Sequence, residues 1–218
     1  MSHDLVVGSY NAGKLREVSD ALNDLSISVR YLREFPAVLE VAETGETYSA
    51  NAILKAEGYA NQTKVLTLGD DSGLEVAALN GGPGVFSARF GGPDASDTDR
   101  INLLLKELAE RTQVGRAARF VCCMAVAGWK SREDRSTQKP ALLTVVEGIC
   151  EGTIATRPAG ANGFGFDPVF IPNGYQQTFA ELPNEVKATI SHRAKALEQV
   201  RTFLSDWLSS LDRASSAP

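Results

Sequence analysis

The sequence is poor in cysteine and histidine and contains no long apolar run. Its 218 residues include three cysteines and two histidines. Cys122, Cys123 and Cys150 have no Cys-x-x-Cys spacing and no histidine nearby, which argues against a zinc site or a thiol redox centre. We expect these thiols to be buried and reduced. No segment resembles a signal peptide or is apolar over the length of a bilayer, which predicts a cytoplasmic protein with no membrane partner.

The chain also lacks an excess of positive charge. It carries 22 Lys and Arg residues against 27 Asp and Glu residues, a net charge of −5, whereas binding to duplex nucleic acid requires clustered basic residues. We therefore expect no nucleic-acid partner, and an anionic substrate must be met by a local basic cluster. The composition, 43% hydrophobic, predicts a single domain over residues 1–211 and a flexible tail over residues 212–218.

Apolar periodicity predicts an α/β fold with a mixed sheet. Strands are expected at 4–8, 26–32, 118–129 and 141–155, and helices at 12–25, around 101–108, and at 48–60 and 191–211. Residues 64–79 predict two strands joined by a turn at 70–73. Because helices and strands alternate only early in the chain, a mixed sheet flanked by helices fits better than a parallel one.

The first candidate site is the loop after the first strand. Gly8 to Lys14 fits G-x-x-x-x-G-K, but Leu15 stands where a P-loop has the Ser or Thr that ligates Mg²⁺. The backbone N–H groups at a helix N-terminus attract anions, and Lys14 adds a positive charge. A phosphate site, a damaged P-loop and an ordinary Gly- and Asn-containing turn all fit these residues.

The second candidate site is acidic. Asp70 and Asp71 follow an apolar run, where they could serve as the Walker B partner of a P-loop, as an Asx-type turn, or as ligands of a cation. Adjacent carboxylates repel each other, which favours a bound cation or proton. Together with Glu40, Glu43 and Glu46 they could form an Mg²⁺ site, although those glutamates alone are typical of a solvated loop.

Two glycine-rich loops and the start of the last helix carry further candidates. Arg89 suits either a carboxylate or phosphate of a ligand or a structural ion pair. Phe164 and Phe166 could stack on a base, but such aromatic residues more often fill a core. Ser191 is a good N-cap, which places His192 and Arg193 in the first turn, where positive charge opposes the helix dipole unless an anion or electron-rich group compensates.

Six motifs in order along the chain resemble the inosine triphosphate pyrophosphatase family. They are SYNAGKLREV, ETGETYSANAILKA, DDSGLEV, PGVFSARFGG, GFGFDPVF and VKATISHRAKAL, spread between Leu5 and Leu197. The resemblance implies an elongated α/β fold with a mixed central sheet, two lobes with the active-site cleft between them, and a homodimer. It also implies an Mg²⁺-dependent reaction that converts ITP, dITP or XTP and water to the monophosphate and pyrophosphate.

The resemblance further implies a set of site residues. Asp71 corresponds to the proton acceptor, and Asp71 and Glu43 to the metal ligands. The substrate contacts correspond to Ser9, Tyr10, Asn11, Ala12, Gly13, Lys14, Ser72, Phe164, Gly165, Phe166, Asp167, Lys187, His192 and Arg193.

The chain departs from the family pattern at three places. Ala50 stands where a Glu is common, which removes one acidic group near the expected metal site, and Phe166 replaces the commoner Tyr. The loop at 129–140 is longer than expected. Two alternatives remain for the function: a P-loop NTPase that produces the diphosphate and phosphate, and a nucleotide-binding protein without catalysis.

Overall fold

The computed structural model describes residues 3–111, 115–129 and 139–215. Within these ranges the strands are β1 (His3–Val7), β2 (Ile27–Tyr31), β3 (Leu66–Val76), β4 (Ala117–Gly128), β5 (Ala141–Ile154) and β6 (Phe170–Pro172). The helices are α1 (Ala12–Leu22), α2 (Tyr48–Thr63), α3 (Asp97–Ala109), α4 (Asn184–Ile190) and α5 (His192–Ser215). Most of the loop predicted at 129–140 lies outside the described residues, so its length stays a prediction.

The six strands form one mixed sheet in the order β2-β1-β3-β4-β5-β6. β1 runs parallel to β2 and to β3, while β6 is antiparallel to β5. Leu5, Val6 and Val7 of β1 are fully buried, as expected for a central strand covered on both faces. The predicted mixed sheet is therefore confirmed.

The described residues fall into two compact units. The first unit comprises those within 1–71, 123–147 and 195–218, and the second those within 72–122 and 148–194. In the first unit Val6, Leu32 and Tyr59 form a buried apolar cluster. In the second, a larger core includes Phe120 and Phe170, whose ring centroids lie 4.7 Å apart. The assignment of 1–211 as a single domain stays a prediction.

The predicted turn at 70–73 is wrong. β3 runs without interruption from Leu66 to Val76, and within it Asp70 and Asp71 are only 0% and 5% exposed. Adjacent carboxylates favour a turn because buried charges are unfavourable when they lack partners. Here Lys14 and Lys55 pair with these carboxylates, so a buried strand can contain both.

The C-terminal ends of two helices differ slightly from the predicted ones. α1 begins at Ala12, as predicted, where the side chain of Asn11 accepts the N–H of Lys14 at 3.1 Å and caps the helix. It ends at Leu22 and not at residue 25. α5 continues to Ser215, beyond the predicted end at residue 211. The remaining tail, residues 216–218, lies outside the described residues.

The predictions for cysteine are confirmed where the structure tests them. Cys122, Cys123 and Cys150 are buried and form no disulfide, and burial together with the nearby Glu147 carboxylate raises the pKa of Cys123 to about 12.

No helix in the described ranges is both long and apolar enough to cross a membrane.

Candidate active site

The predicted phosphate loop joins β1 to α1 in the first unit. Its own side chains stabilise the turn: the Ser9 hydroxyl accepts the N–H of Asn11 at 3.1 Å, and Asn11 caps the helix. Ala12 and Gly13 occupy the first turn of α1, where backbone N–H groups have no intrahelical acceptor. Tyr10 is 53% exposed. The loop therefore presents amides and a tyrosine, while Asn11 has a structural role.

Lys14 connects this loop to the acidic strand. Its ammonium group pairs with the carboxylate of Asp70, and the side chains are 14% and 0% exposed. The same ammonium group lies 3.5 Å from the Asp70 carbonyl oxygen. Lys14 is thus held at the N-terminus of α1 as one of the positive charges around β3.

Helix α2 supplies two side chains that contact Asp71. The Lys55 ammonium lies 3.2 Å from Asp71 Oδ1, and the Asn51 amide donates to Oδ2 at 3.1 Å. Asn51 also accepts the N–H of Gly45 at 2.8 Å, and it is 1% exposed. Asn51 therefore ties Asp71 to the loop that carries Glu43.

Glu43 joins the same group of charges. Its carboxylate lies 3.0 Å from the Lys55 ammonium, so Lys55 bridges Glu43 and Asp71. By contrast, Glu40 and Glu46 are exposed, as expected for a solvated loop. We refer to Lys14, Glu43, Asn51, Lys55, Asp70 and Asp71 as the carboxylate–lysine cluster; all six belong to the first unit.

The approach of α2 to β3 depends on a glycine. A Cβ atom at Gly69 would collide with the backbone of α2 at Ala52 and Ala56. Because Gly69 lacks that atom, the helix backbone lies directly against the strand, which brings Asn51 and Lys55 to the neighbouring Asp71.

Burial and charge act in opposite directions on the pKa values in this cluster. Burial raises the pKa of Asp71, although Lys55 and Lys14 favour its charged form. Burial also disfavours a charged Lys55, but the carboxylates of Asp71, Glu43 and Asp70 together raise its pKa above 10.5. Lys55 is therefore a protonated lysine at neutral pH, held between carboxylates.

The described residues contain no group of three or more His, Cys, Asp or Glu side chains arranged to hold a metal ion. The pair of Glu43 and Asp71 nevertheless shares one cation, the Lys55 ammonium. Three carboxylates face two ammonium groups in the cluster, which leaves it one net negative charge. Carboxylate oxygens are hard ligands that suit Mg²⁺, so these residues fit a divalent cation.

A second group of predicted residues lies in the second unit. We refer to Ser72, Phe164, Asp167, Lys187, His192 and Arg193 as the aromatic–basic cluster. The Lys187 ammonium lies 5.0 Å from the centroid of the half-buried Phe164 ring, and the Arg193 guanidinium carbon lies 5.6 Å from it. Two cations therefore contact the ring of Phe164.

Asp167 organises the loop that carries Phe164. Its Oδ2 accepts the N–H of Phe164 at 2.9 Å and lies 2.7 Å from the Lys187 ammonium, and Asp167 is 3% exposed. Gly163 has a φ of +77°, and a Cβ atom there would collide with the Asp167 carboxylate. The ring of Phe166 is buried in the core and packs on Phe90. Of the two roles considered for it, stacking on a base or filling a core, Phe166 therefore has the second.

The start of α5 provides the other basic residues. Ser191 caps the helix by accepting the N–H of Ala194 at 3.1 Å, as predicted. Arg193, 2% exposed, donates from Nη2 to the Ser72 hydroxyl at 2.7 Å. His192, 4% exposed, stacks on Phe120 with ring centroids 4.6 Å apart.

Arg89, at the end of a 3-10 helix, is exposed.

Two members of the carboxylate–lysine cluster were not assigned from the sequence. Asn51 and Lys55 stand four residues apart on α2, so they lie on one helix face next to the acidic loop. Two polar residues at i and i+4 in an otherwise alanine-rich stripe were the sequence signal that could have assigned Asn51 and Lys55 to the site. This signal is weak, because exposed helix faces show the same spacing.

Comparison with known proteins gives concordant matches. The Ham1 family model matches residues 5–203. A Bacillus anthracis protein named dITP/XTP pyrophosphatase is 42% identical over 203 residues, which cover 93% of this chain and 96% of that protein.

Solved structures resemble the chain over nearly its whole length. A HAM1 protein from Coxiella burnetii is 42% identical with a TM-score of 0.82, and the match covers 94% of this chain and 99% of that one. The Staphylococcus aureus Ham1 protein is 37% identical with a TM-score of 0.78, covering 93% and 98% of the two chains. The predicted α/β fold class is therefore confirmed.

Proposed function

Since the chain belongs to the Ham1 family, we propose that it hydrolyses the noncanonical purine nucleoside triphosphates ITP, dITP and XTP to the monophosphate and pyrophosphate. The observation that carries this proposal is the carboxylate–lysine cluster, in which Lys55 bridges Glu43 and Asp71 while Lys14 of the phosphate loop pairs with the adjacent Asp70. The matches to known proteins confirm the family resemblance predicted from the sequence, and the enzyme is a nucleoside-triphosphate pyrophosphatase.

The triphosphate is assigned to the phosphate loop. Lys14 and the first-turn amides of α1 supply the positive potential that a polyphosphate requires. When substrate binds, its phosphates compete with Asp70 for the Lys14 ammonium. The same ammonium then balances charge that develops as the bond between the α-phosphorus and the bridging oxygen breaks.

Asp71 is assigned as the general base. A water molecule attacks the α-phosphorus, its proton passes to the Asp71 carboxylate, and pyrophosphate leaves. Burial raises the pKa of Asp71, which makes the carboxylate a better proton acceptor near neutral pH than an exposed one. Asn51 and Lys55 hold both carboxylate oxygens of Asp71 and so orient the base.

Mg²⁺ is assigned to Glu43 and Asp71. Both carboxylates already share a cation in Lys55, which supports their assignment as ligands. When bound, Mg²⁺ supplies Lewis-acid stabilisation of negative charge on the phosphate oxygens. Ala50 contributes no carboxylate to this group.

The purine base of the substrate is assigned to the aromatic–basic cluster. The ring of Phe164 offers a surface on which a purine can stack, and Asp167 and Lys187 support the loop that carries Phe164 and Gly165. Ser72 accepts a hydrogen bond from Arg193. Donors from His192 and Arg193 would meet the 6-oxo group of hypoxanthine or xanthine. Adenine would instead place its 6-amino group against donors, which disfavours ATP. An unchanged ITP-to-ATP preference in His192→Ala and Arg193→Ala would contradict this assignment.

The products of the reaction separate this proposal from its alternatives. Purified protein with Mg²⁺ is incubated with ITP, XTP, dITP, ATP and GTP, and pyrophosphate and phosphate are measured separately. We expect pyrophosphate and monophosphate; diphosphate and phosphate would indicate a P-loop NTPase. Leu15, 5% exposed on the core face of α1, cannot ligate Mg²⁺ as a P-loop Ser or Thr does. Binding of ITP without cleavage would indicate a nucleotide-binding protein.

Replacement of Asp71 tests its role directly. Asp71→Asn keeps the shape of the side chain but removes its capacity to accept a proton, so we expect kcat to fall by roughly 10²- to 10⁴-fold. ITP binding, measured by calorimetry, should persist. Full activity of Asp71→Asn would remove Asp71 from the mechanism.

Two further features are part of the proposal. The resemblance to the family supports a homodimer, which sedimentation velocity can test. Three free cysteines suit a reducing compartment such as the cytoplasm.

A further inference from the structure

The loop that carries Phe164 is held by a carboxylate from another element. The backbone N–H of Gly165 donates to Asp97 Oδ2 at 2.7 Å, although the two residues lie 68 positions apart in the sequence. Asp97 is the first residue of α3. The conformation of this loop therefore depends on a helix that contributes none of the assigned substrate contacts.

The Asp97 carboxylate is itself fixed in direction. Its Oδ1 accepts a hydrogen bond from Arg100 Nη1 at 2.9 Å, one turn further along α3, and the Arg100 side chain is only 16% exposed. The N-terminus of α3 also favours a negative charge at this position. With Oδ1 engaged by Arg100, Oδ2 is directed to the Gly165 amide.

Two consecutive amides of the loop are thus bound by two different carboxylates. The N–H of Phe164 donates to Asp167, and the N–H of Gly165 donates to Asp97. Gly165 has a φ of +61°, a left-handed conformation that glycine adopts without steric cost. On the other side of Gly165, the ring of Phe166 is anchored in the core. The backbone of Phe164 is therefore fixed, and with it the position of its half-buried ring.

We propose that Asp97 is a positioning residue for the purine of the substrate. Through the Gly165 amide it fixes the ring of Phe164, and so it determines how tightly the base is bound. Asp97 itself does not contact the substrate. This inference rests on the proposed function, because it requires a purine nucleotide stacked on Phe164.

The inference predicts a specific kinetic pattern. An interaction with the base that is equal in the ground state and the transition state affects KM and leaves kcat unchanged. Asp97→Ala should raise the KM for ITP about tenfold, the size expected for one charge-assisted hydrogen bond, and should change kcat less than about twofold. The Kd of IMP should rise to the same extent. The Kd of inorganic tripolyphosphate, which has no base, should stay the same.

Two further variants separate positioning from general loss of structure. Asp97→Asn keeps an oxygen that can accept the Gly165 N–H, so it should recover most of the affinity for IMP. Asp99→Ala is the matched control, since it removes a carboxylate from the same turn of α3. Asp99 caps the helix through Ser96, so its loss should lower Tm without raising the KM for ITP.

The experiment measures steady-state kinetics with ITP, calorimetric binding of IMP and tripolyphosphate, and the amide resonance of Gly165 by NMR. In Asp97→Ala the Gly165 amide proton should move upfield as it loses its carboxylate acceptor, together with the rise in KM. An unmoved Gly165 amide, an unchanged KM, or an equal rise in KM for Asp99→Ala would each overturn the inference while ITP cleavage by the wild type continues. A wild-type protein that neither cleaves ITP nor binds IMP would overturn the proposed function itself.

Discussion

Lys55 is the residue on which the electrostatics of the carboxylate–lysine cluster depend. It lies 3.0 Å from Glu43 and 3.2 Å from Asp71, in a position where the proposal also places Mg²⁺. A buried ion pair contributes little net stability, but removing one partner leaves an uncompensated buried charge. The ammonium group therefore keeps both carboxylates close together when no metal is bound.

Replacement of Lys55 should reveal this dependence. Lys55→Met leaves Glu43 and Asp71 without their shared cation, so we expect a loss of about 3–5 kcal/mol in the free energy of unfolding without metal. Urea denaturation in EDTA measures this loss.

The matched control for Lys55 is a double-mutant cycle. Asp71→Asn removes the charge that Lys55→Met exposes, so the double variant should lose less stability than the two single losses combined. Strict additivity of the two losses would show that Lys55 and Asp71 are not energetically coupled.

At the scale of secondary-structure elements, the site depends on how closely α2 lies against β3. Gly69 allows the helix backbone at Ala52 and Ala56 to contact the strand, and the same contact brings Asn51 and Lys55 to Asp71. The packing of α2 against β3 therefore also determines the position of Asp71, the proposed general base.

Gly69→Ala should affect stability and catalysis together. The added methyl group must displace helix backbone rather than a flexible side chain, which costs about 1–3 kcal/mol. We expect a lower Tm and a lower kcat, measured by calorimetry and pyrophosphate release. Gly115→Ala is the control, because a Cβ atom there meets nothing within 4 Å. Normal kcat in Gly69→Ala would show that Asp71 tolerates a shift of α2.

A charged contact connects α5 to the turn that follows α1. Arg201 on α5 donates to both carboxylate oxygens of Asp24, at 2.6 and 2.8 Å, and to the carbonyl oxygen of Ala21. The hydrogen bond from Arg201 lowers the pKa of Asp24 from 3.8 to about 2. The ionised form of Asp24 is therefore favoured in the folded state.

This contact predicts a defined dependence of stability on pH. Because the pKa of Asp24 is lower in the folded state than in the unfolded state, its contribution is present above pH 3.8 and is lost as the pH falls towards 2. Asp24→Asn should be less stable than the wild type at pH 6, with the difference shrinking between about pH 4 and pH 2. Urea denaturation across this range measures it, with Asp206→Asn on α5 as the charge-matched control. A constant difference would contradict the assignment.

At the scale of the whole molecule, the chain combines a net charge of −5 with one cluster rich in carboxylates and another rich in basic side chains. The carboxylate–lysine cluster of the first unit holds a net negative charge and suits a cation, whereas the aromatic–basic cluster of the second unit contains Lys187, His192 and Arg193. Asp71 and Ser72, one from each cluster, are consecutive residues of β3.

Metal binding should therefore stabilise the folded protein. At an Mg²⁺ concentration ten times its Kd, mass action adds about 1.4 kcal/mol, a rise in Tm of roughly 3–6 °C for a chain of this size. Calorimetric scans with Mg²⁺ and with EDTA measure the effect. Glu43→Gln removes one proposed ligand and should reduce it; an equal rise in Tm for Glu43→Gln would exclude Glu43 as a ligand.

The sequence by itself determined the fold class, the order of the motifs and the family. Apolar periodicity marked the strands and helices, and six short motifs carried the family resemblance. A local signal also identified Ser191 as the cap of α5, because a cap depends on residues within one turn.

Only the tertiary structure decided which side chains meet. It placed Asp70 and Asp71 inside a continuous strand, because lysines from two other elements neutralise them. It brought Lys55 to Glu43 and Asp97 to Gly165, and it buried Phe166 while leaving Phe164 half exposed. Such contacts join residues far apart in the chain, and their geometry is set by packing, which sequence spacing does not encode.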